Sequence, residues 1–345
     1  MAITINTNVA SLIAQKSLNS ATSKMNTAME RLSTGLKINS SKDDAAGSAV
    51  ATKLNYKINS LAVAGDNAQM GSSLLDTEEG TLDVIQSNMT RIRDLTEQAA
   101  NGTYGSDAMT AIKSEIAGRL AEVTRIAGTT EFNGKKLLDG SMDNGINLQV
   151  GITSGDDSVI KLEGSLFAEA TAESLLGDYS ITGNGENIKV SGNVARIGND
   201  YYNVNGKELE YAADQEAAKT TYDGGTATGS TDTFTIKDKK NAVDALDEIF
   251  RNDVTARAFL DNVDKALTDV TDRKTEIGAA QQRISSAMEV TNVMSTNLTS
   301  AKSLIEDADI AEESSNYIKN QILQQTSSSL LATANQNPSI ALSLI

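Results

Sequence analysis

Apolar residues recur at helical spacing at both ends of the chain. Ends of soluble domains are usually polar and frayed, so this pattern predicts that both terminal segments are packing surfaces of a subunit that is completed by assembly. The residues in the pattern are Ile3, Ile5, Val9, Leu12, Ile13, Met25, Met29 and Leu32 near the start, and Ile318, Leu323, Leu330, Leu331, Ile340, Leu342, Leu344 and Ile345 near the end.

A second helical pattern occupies 45–127. Gly102 and Gly105 interrupt it, which predicts a helix, a turn and a second helix. The apolar positions recur at spacings of three, four or seven: Leu54, Ile58, Leu61, Leu75, Leu82, Met89 and Ile92 before the turn, and Met109, Ile112, Ile116, Leu120 and Val123 after it.

A third helical pattern, beginning near Asn241, has the alternating spacing of three and four that is typical of a coiled coil. An isolated helix of this kind is barely stable in water, so its apolar seam needs a partner within the chain or in a neighbouring copy. An ordinary intramolecular bundle is the alternative. The seam runs through Ile277, Ala280, Ile284, Ala287, Thr291, Met294, Leu298, Ala301, Ile305 and Ala308.

Two segments between the helical patterns predict β-structure. Ile146, Leu148, Val150 and Ile152 alternate with polar residues, as in a half-buried strand. The segment 178–240 combines Gly, Asn, Thr and Asp clusters with short alternating runs, such as Tyr202 with Val204 and Phe234 with Ile236, and predicts a small β-rich or mixed domain with long turns.

The patterns together predict a mainly α protein with a β-rich insert. Its N- and C-terminal helical arms would pair as a coiled coil and a helical bundle, and the insert would form a small outer domain between them. We expect three zones: terminal coiled-coil arms at 1–44 with 303–345, a rod-like helical domain with a β-hairpin region at 45–177 with 241–302, and a surface-exposed domain at 178–240.

Composition narrows the possible chemistry. The 345 residues include neither Cys nor His, which excludes disulfides, thiol catalysis, imidazole metal sites and Ser-His triads. A net charge of -16 argues against nucleic-acid binding, because no excess of Lys and Arg can neutralise phosphates. No apolar run is long enough to cross a membrane, and the first residues do not resemble a general secretory signal.

Acidic clusters are the remaining candidates for a site. Asp307, Asp309, Glu312 and Glu313 lack the glycine and the spaced glutamate of an EF-hand, so we interpret Asp307 or Asp309 as the N-cap of the terminal helix. The pairs Asp43 with Asp44 and Asp156 with Asp157 are interpreted as exposed turn residues. We therefore expect no catalytic, cofactor or metal site.

Several segments resemble those of bacterial flagellin, both in their amino-acid sequence and in their order along the chain. Near the start these are INTNV at 5–9, RLSTGLKINSSKDDAAG at 31–47, RIRDL at 91–95, QAANG at 98–102 and EFNGKKLL at 131–138. Near the end they are DADIAEE at 307–313, QILQQ at 321–325, ANQ at 334–336 and LSL at 342–344. The resemblance covers roughly the first 175 and the last 100 residues, while 178–240 matches no family pattern.

The resemblance implies a non-enzymatic subunit that polymerises into the extracellular flagellar filament after export through the flagellar type III channel. It implies as partners other copies of the chain, an export chaperone on the C-terminal arm, and the filament cap and hook-junction proteins. It places the assembly seam at Val9, Leu12, Met25, Met29, Leu32, Ile284, Met294, Leu298, Ile305, Ile318, Leu323 and Leu330. The alternatives are a hook-filament junction protein and, from another class, a type III secreted effector.

The resemblance also implies a site for the flagellin-specific Toll-like receptor of hosts. Arg91, Leu95 and Glu115 occupy the matching positions, and the i, i+4 spacing places Arg91 and Leu95 on one helical face. An arginine beside an apolar anchor is a plausible binding hot spot. The alternative is that these residues serve only subunit packing.

Overall fold

The structure is a computed structural model that describes most of the chain. The described residues are 8–177, 180–182, 188–191, 194–197, 200–205, 208–212, 215–223, 227–230, 233–236, 242–243, 245–251 and 253–343. Predictions that concern Ile3, Ile5, Leu344 and Ile345, and the boundary positions Asp178, Lys240 and Asn241, lie outside these residues.

Helices dominate the described residues, as the apolar periodicity predicts. They are α1 Val9–Thr34, α2 Ala45–Ala99, α3 Ser106–Thr129, α4 Ala172–Leu176, α5 Gln215–Asp223, α6 Leu246–Ile249, α7 Asp253–Glu306 and α8 Ile310–Ser343. The predicted break at Gly102 and Gly105 is confirmed, because α2 ends and α3 begins on either side of it. Among the described residues, no helix has both the length and the apolar content that a membrane span requires.

Helix α1 has a local signal at each end. The Asn8 side-chain Oδ1 accepts a hydrogen bond from the Ser11 N–H at 3.0 Å, which satisfies one free donor of the first turn. At the other end Gly35 adopts a φ of 75°, and its N–H donates to the Arg31 carbonyl at 2.8 Å. A left-handed glycine just after the last turn stops the helix at low steric cost.

Within the described residues, the strands form two hairpins and one larger sheet. The hairpins pair β1 Glu131–Phe132 with β2 Lys135–Lys136, and β3 Ile146–Gln149 with β4 Val159–Leu162. The sheet contains β5 Ser180–Thr182, β6 Ile188–Ser191, β7 Val194–Ile197, β8 Asp200–Asn205, β9 Glu208–Tyr211, β10 Thr228–Gly229 and β11 Thr233–Ile236. Its order is β10-β6-β7-β8-β9-β11-β5, antiparallel except for the β9 and β11 pair.

The sheet and helix α5 together confirm the predicted β-rich or mixed insert, although the apolar spacing did not locate the helix. The Gln215 side chain joins α5 to the sheet, accepting from the Tyr201 N–H and donating to the Tyr201 carbonyl, both at 2.8 Å. The Tyr201 and Tyr222 rings pack edge to face with centroids 5.5 Å apart. Tyr202, the next residue, is buried with the main core.

The chain divides into two compact units, 1–64 with 289–345 and 65–288. In the first, α1 and α8 lie side by side along their length. The second holds the main core, which is built from helix faces. Its fully buried side chains include Leu75, Leu82, Met89 and Ile92 of α2, Ile116, Leu120 and Val123 of α3, and Phe259, Val263, Val270 and Ile277 of α7. The three-zone division remains a prediction.

Polar pairs join α2 to α7 within the second unit. The Arg93 Nε donates to Asp264 Oδ1 at 2.7 Å, and Gln281 Nε2 donates to Asp76 Oδ1 at 2.9 Å. Between them, the Lys274 ammonium donates to Asp83. Since residue numbers rise along α2 as they fall along α7, these pairs fix the two segments antiparallel.

Candidate assembly and recognition surfaces

Helices α1 and α8 meet along a stripe of alanines on α1. Ala14, Ala21 and Ala28, spaced by seven residues, are 1%, 4% and 2% exposed. The facing residues of α8 are Glu313, Asn320 and Ala334, which are also buried and separated by multiples of seven. A seven-residue repeat keeps one face of each helix against its partner, and on α1 that face consists of alanines. We call this the alanine seam.

Polar contacts along the alanine seam set its direction and register. The Asn8 Nδ2 donates to the Ala334 carbonyl at 2.7 Å. Further along, Gln324 Nε2 donates to Thr22 Oγ1 at 3.1 Å. Because low numbers on α1 meet high numbers on α8, the helices are antiparallel, and each contact forms in only one register.

An ion pair closes the other end of the alanine seam. Arg31 donates through a terminal guanidinium nitrogen to Glu313 Oε1 at 2.8 Å, with the glutamate side chain 10% exposed. The Arg31 Nε is buried and has no hydrogen-bond partner within the described residues. Desolvation offsets much of the attraction in such a pair, so its main effect is to disfavour other registers, in which Glu313 would be buried unpaired.

The segments that follow α1 and precede α8 are also paired. The Gly35 carbonyl accepts from the Ala308 N–H at 2.9 Å, and Leu36 forms an isolated antiparallel bridge with Asp307. Asp309 Oδ1 accepts from the Ala311 N–H at 2.8 Å, so Asp309 caps α8, one of the two residues we expected.

Many residues predicted for the assembly seam lie on the outside of the described structure rather than in the alanine seam. Between 42% and 59% of the residue is exposed at Val9, Leu12, Met29, Met294, Ile318, Leu323 and Leu330. Met25, Leu32, Leu298 and Ile305 are half-buried. Ile284 is 1% exposed and lies in the main core of the second unit.

Two of the predicted receptor residues, Arg91 and Glu115, belong to an exposed ion-pair cluster on α2 and α3. The Arg91 Nε donates to Glu115 Oε1 at 3.2 Å, and Arg119 donates to the same oxygen at 3.1 Å. Partial burial alone would raise the pKa of the Glu115 carboxyl, but hydrogen bonds from Arg119 and Arg91 hold that pKa below its ordinary value. The cluster therefore presents an arginine oriented by a fixed carboxylate.

Leu95 does not lie beside Arg91 on this exposed face. It is 2% exposed and belongs to the main core, where it continues the buried stripe of Ile92 and Ala99. The expectation that Arg91 and Leu95 form one accessible surface is therefore incorrect. One helical step of 40° separates positions i and i+4, and here that step crosses the boundary between surface and core.

Comparison with known proteins identifies the family. Residues 5–143 match the bacterial flagellin N-terminal helical region, and residues 260–345 match the bacterial flagellin C-terminal helical region. The chain belongs to the bacterial flagellin family. It is similar to polar flagellin F of Vibrio parahaemolyticus, with 33% identity, and to flagellin of Salmonella typhimurium, with 30% identity, covering 100% of both chains in each case.

Solved flagellin structures are also similar to this flagellin. FliC from Burkholderia pseudomallei is 23% identical with a TM-score of 0.39, and the match covers 62% of this chain and 99% of that one. Bacillus cereus flagellin is 19% identical with a TM-score of 0.38, covering 65% and 88% of the respective chains.

Family membership settles the broad function. The protein is a structural subunit of the extracellular flagellar filament and polymerises with copies of itself; it is not an enzyme. Neither a hook-filament junction protein nor a secreted effector is better supported. The large apolar residues did not predict the alanine seam, but the sequence does contain a signal for it: Ala14, Ala21 and Ala28 recur at intervals of seven.

Proposed function

We propose that the outer apolar faces of α1 and α8 are the contacts through which copies of this flagellin polymerise. The supporting observation is that α1 contributes only alanines to the alanine seam, while large apolar side chains of both helices are exposed. The large apolar residues that are 45–60% exposed are Val9, Leu12, Ile13 and Met29 on α1, and Ile310, Ile318, Ile322, Leu323 and Leu330 on α8. Apolar patches of this kind on soluble proteins mark interaction sites.

Substituting two of these residues tests the proposal. Ile318 and Ile322 are 54% and 57% exposed and lie at i and i+4 on α8. Burying each side chain contributes roughly 1.5 to 3 kcal/mol, so Ile318→Ser with Ile322→Ser should raise the critical concentration for polymerisation by at least about a hundredfold. Sedimentation of protein polymerised over a concentration series measures this value.

Lys319→Ser is the matched control because Lys319 is an exposed residue on the same turns of α8. It should polymerise at about the wild-type concentration. Equal critical concentrations for the wild type and the double isoleucine variant would refute the proposed contact.

The same α8 face is our proposed surface for the export chaperone, which would shield the apolar residues before assembly. We also propose export through the flagellar type III channel, end contacts with the filament cap and hook-junction proteins, and an outward position for 178–240. These proposals rest on the family resemblance and on the exposed residues of α8.

We further propose that host Toll-like receptor recognition uses the Arg91 and Glu115 cluster. Leu95 would act indirectly, because its packing in the core holds this part of α2 in place. Arg91→Ala should weaken binding of the monomer to the receptor ectodomain by about 1 to 3 kcal/mol, the range of interface hot spots. Calorimetric titration measures the effect.

Arg125→Ala is the control for this titration. Arg125 is an exposed α3 arginine that also pairs with a glutamate, Glu122, at 2.6 Å. We expect its loss to leave the affinity unchanged. If wild-type monomer does not bind, or if both substitutions weaken binding equally, Arg91 is not a specific recognition residue.

A further inference from the structure

The loop between α2, which ends at Ala99, and α3, which begins at Ser106, contains an Asn-Gly pair. Asn101 and Gly102 are both exposed. The Thr103 N–H donates to the Asn101 side-chain Oδ1 at 3.3 Å, and the Tyr104 N–H donates to the Asn101 carbonyl at 3.4 Å. These two bonds fold the asparagine carboxamide back over the peptide bond that follows it.

The backbone nitrogen of Gly102 is available for reaction. Within the described residues its N–H donates no hydrogen bond, and glycine has no side chain to hinder approach. The hydrogen bond from the Thr103 N–H polarises the Asn101 carboxamide and would stabilise negative charge that develops on its oxygen. The exposed Gly102 nitrogen is therefore the chain neighbour of a carboxamide that Thr103 polarises.

We propose that Asn101 is a site of spontaneous deamidation in the folded protein. The Gly102 nitrogen attacks the Asn101 Cγ and loses its proton, and the side-chain nitrogen leaves with that proton as ammonia, which gives a five-membered succinimide. Water then adds to one succinimide carbonyl and breaks its bond to nitrogen. Opening at one carbonyl yields aspartate, and opening at the other yields isoaspartate.

Other Asn-Gly pairs of the described structure are held more firmly. Asn133 and Gly134 form the two-residue turn between β1 and β2, with φ values of 49° and 76° that the paired strands fix. Gly145, which follows Asn144, is packed so closely that an added Cβ would lie 2.0 Å from the Leu162 carbonyl oxygen. Neither backbone can rotate freely toward a succinimide.

Conversion would change the electrostatics of the loop. The new carboxylate would lie just after the last residue of α2, where the helix dipole disfavours negative charge. Asp253 is also near, because a Cβ on Gly102 would lie 3.6 Å from its Oδ2. Arg257, which donates to the Ala100 carbonyl at 3.2 Å, is the nearby cation that would offset part of this repulsion.

Peptide mapping by mass spectrometry tests the proposal with an internal control. Native and urea-unfolded protein are incubated at mildly alkaline pH and digested with trypsin, which separates Asn101 on peptide 94–113 from Asn133 on peptide 126–135. In unfolded protein both pairs should react at similar rates. In native protein, deamidation at Asn101 should be several-fold faster than at Asn133.

Gly102→Ala is the matched variant, since the added methyl group makes only an ordinary contact with Asp253. It should slow deamidation at Asn101 several-fold and leave Asn133 unchanged. Equal native rates at the two asparagines, or an Asn101 rate that Gly102→Ala does not alter, would overturn the proposal.

Discussion

Glu78→Gln is expected to remove a large pH-dependent loss of stability from the helical core of the second unit. Glu78 lies on α2, is 0% exposed, and neither of its carboxylate oxygens has a hydrogen-bond partner within the described residues. Burial raises the pKa of the Glu78 carboxyl to about 8, and the Arg273 guanidinium opposes this only in part. Burial therefore favours the protonated, neutral form of the Glu78 carboxyl in the folded protein.

Arg273 does not neutralise Glu78 because its guanidinium is engaged elsewhere. It donates to the Ala168 and Glu169 carbonyls at 2.8 and 3.0 Å. Burial lowers the Arg273 pKa, while the charges of Asp269, Glu78 and Glu276 raise it. The charge that acts on Glu78 is thus that of Arg273, which Asp269 and Glu276 also attract.

The direction of the pH effect follows from these values. Below about pH 4.5 the Glu78 carboxyl is protonated in both the folded and the unfolded chain, and its burial costs no ionisation energy. As pH rises the unfolded chain releases this proton while the folded chain keeps it until about pH 8, so stability falls across this window. Across this window the free energy of unfolding decreases by up to about 5 kcal/mol.

Urea unfolding followed by circular dichroism at several pH values measures this loss. The free energy of unfolding of Glu78→Gln, relative to wild type, should increase from about pH 4.5 to about pH 8, because glutamine does not ionise. Glu79→Gln is the neighbouring control; Glu79 is half-buried and accepts from Gln281 at 2.9 Å. The free energy of unfolding of Glu79→Gln should fall with rising pH as it does in the wild type. A pH-independent difference between Glu78→Gln and wild type would contradict the assignment.

The helical part of the fold could be predicted from the sequence because apolar spacing over long segments is a strong signal. Glu78 shows the limit of this approach. It lies three residues after Leu75 and four before Leu82, which places it on the buried stripe, yet its charge argues for the surface. Only packing against neighbouring elements reveals which tendency prevails.

Leu95 and the α1 to α8 pairing show a different limit. Helical spacing places Leu95 near Arg91, but a helix face has no sharp edge, and the position of α3 and α7 decides where the core ends. For the terminal helices, the large apolar residues predict one face as the contact surface, but the three alanines form the intrachain contact. Which apolar face binds within the chain depends on interhelical distance, which hydropathy does not encode.

Ala21→Leu is expected to abolish filament formation by separating α1 from α8. Ala21 lies at the centre of the alanine seam and is 4% exposed, so a leucine there must either displace the two backbones or turn into the groove of about 330 Å³ that Ala21, Asn320 and Leu323 line. Overpacking of this kind costs about 1 to 3 kcal/mol. Spreading the helices would also lengthen the adjacent Gln324 to Thr22 hydrogen bond. The outer faces of both helices would then lose the relative position that we propose is needed for polymerisation.

Asn19→Leu is the matched control because it adds the same side chain at an exposed position on α1. Sedimentation should recover filaments from wild type and Asn19→Leu but not from Ala21→Leu. Circular dichroism of the monomers should show a lower melting temperature only for Ala21→Leu. Because each seam position faces a small or polar residue of α8, Ala14→Leu and Ala28→Leu should act in the same direction. Normal filaments from Ala21→Leu would show that polymerisation does not need the close α1 to α8 pair.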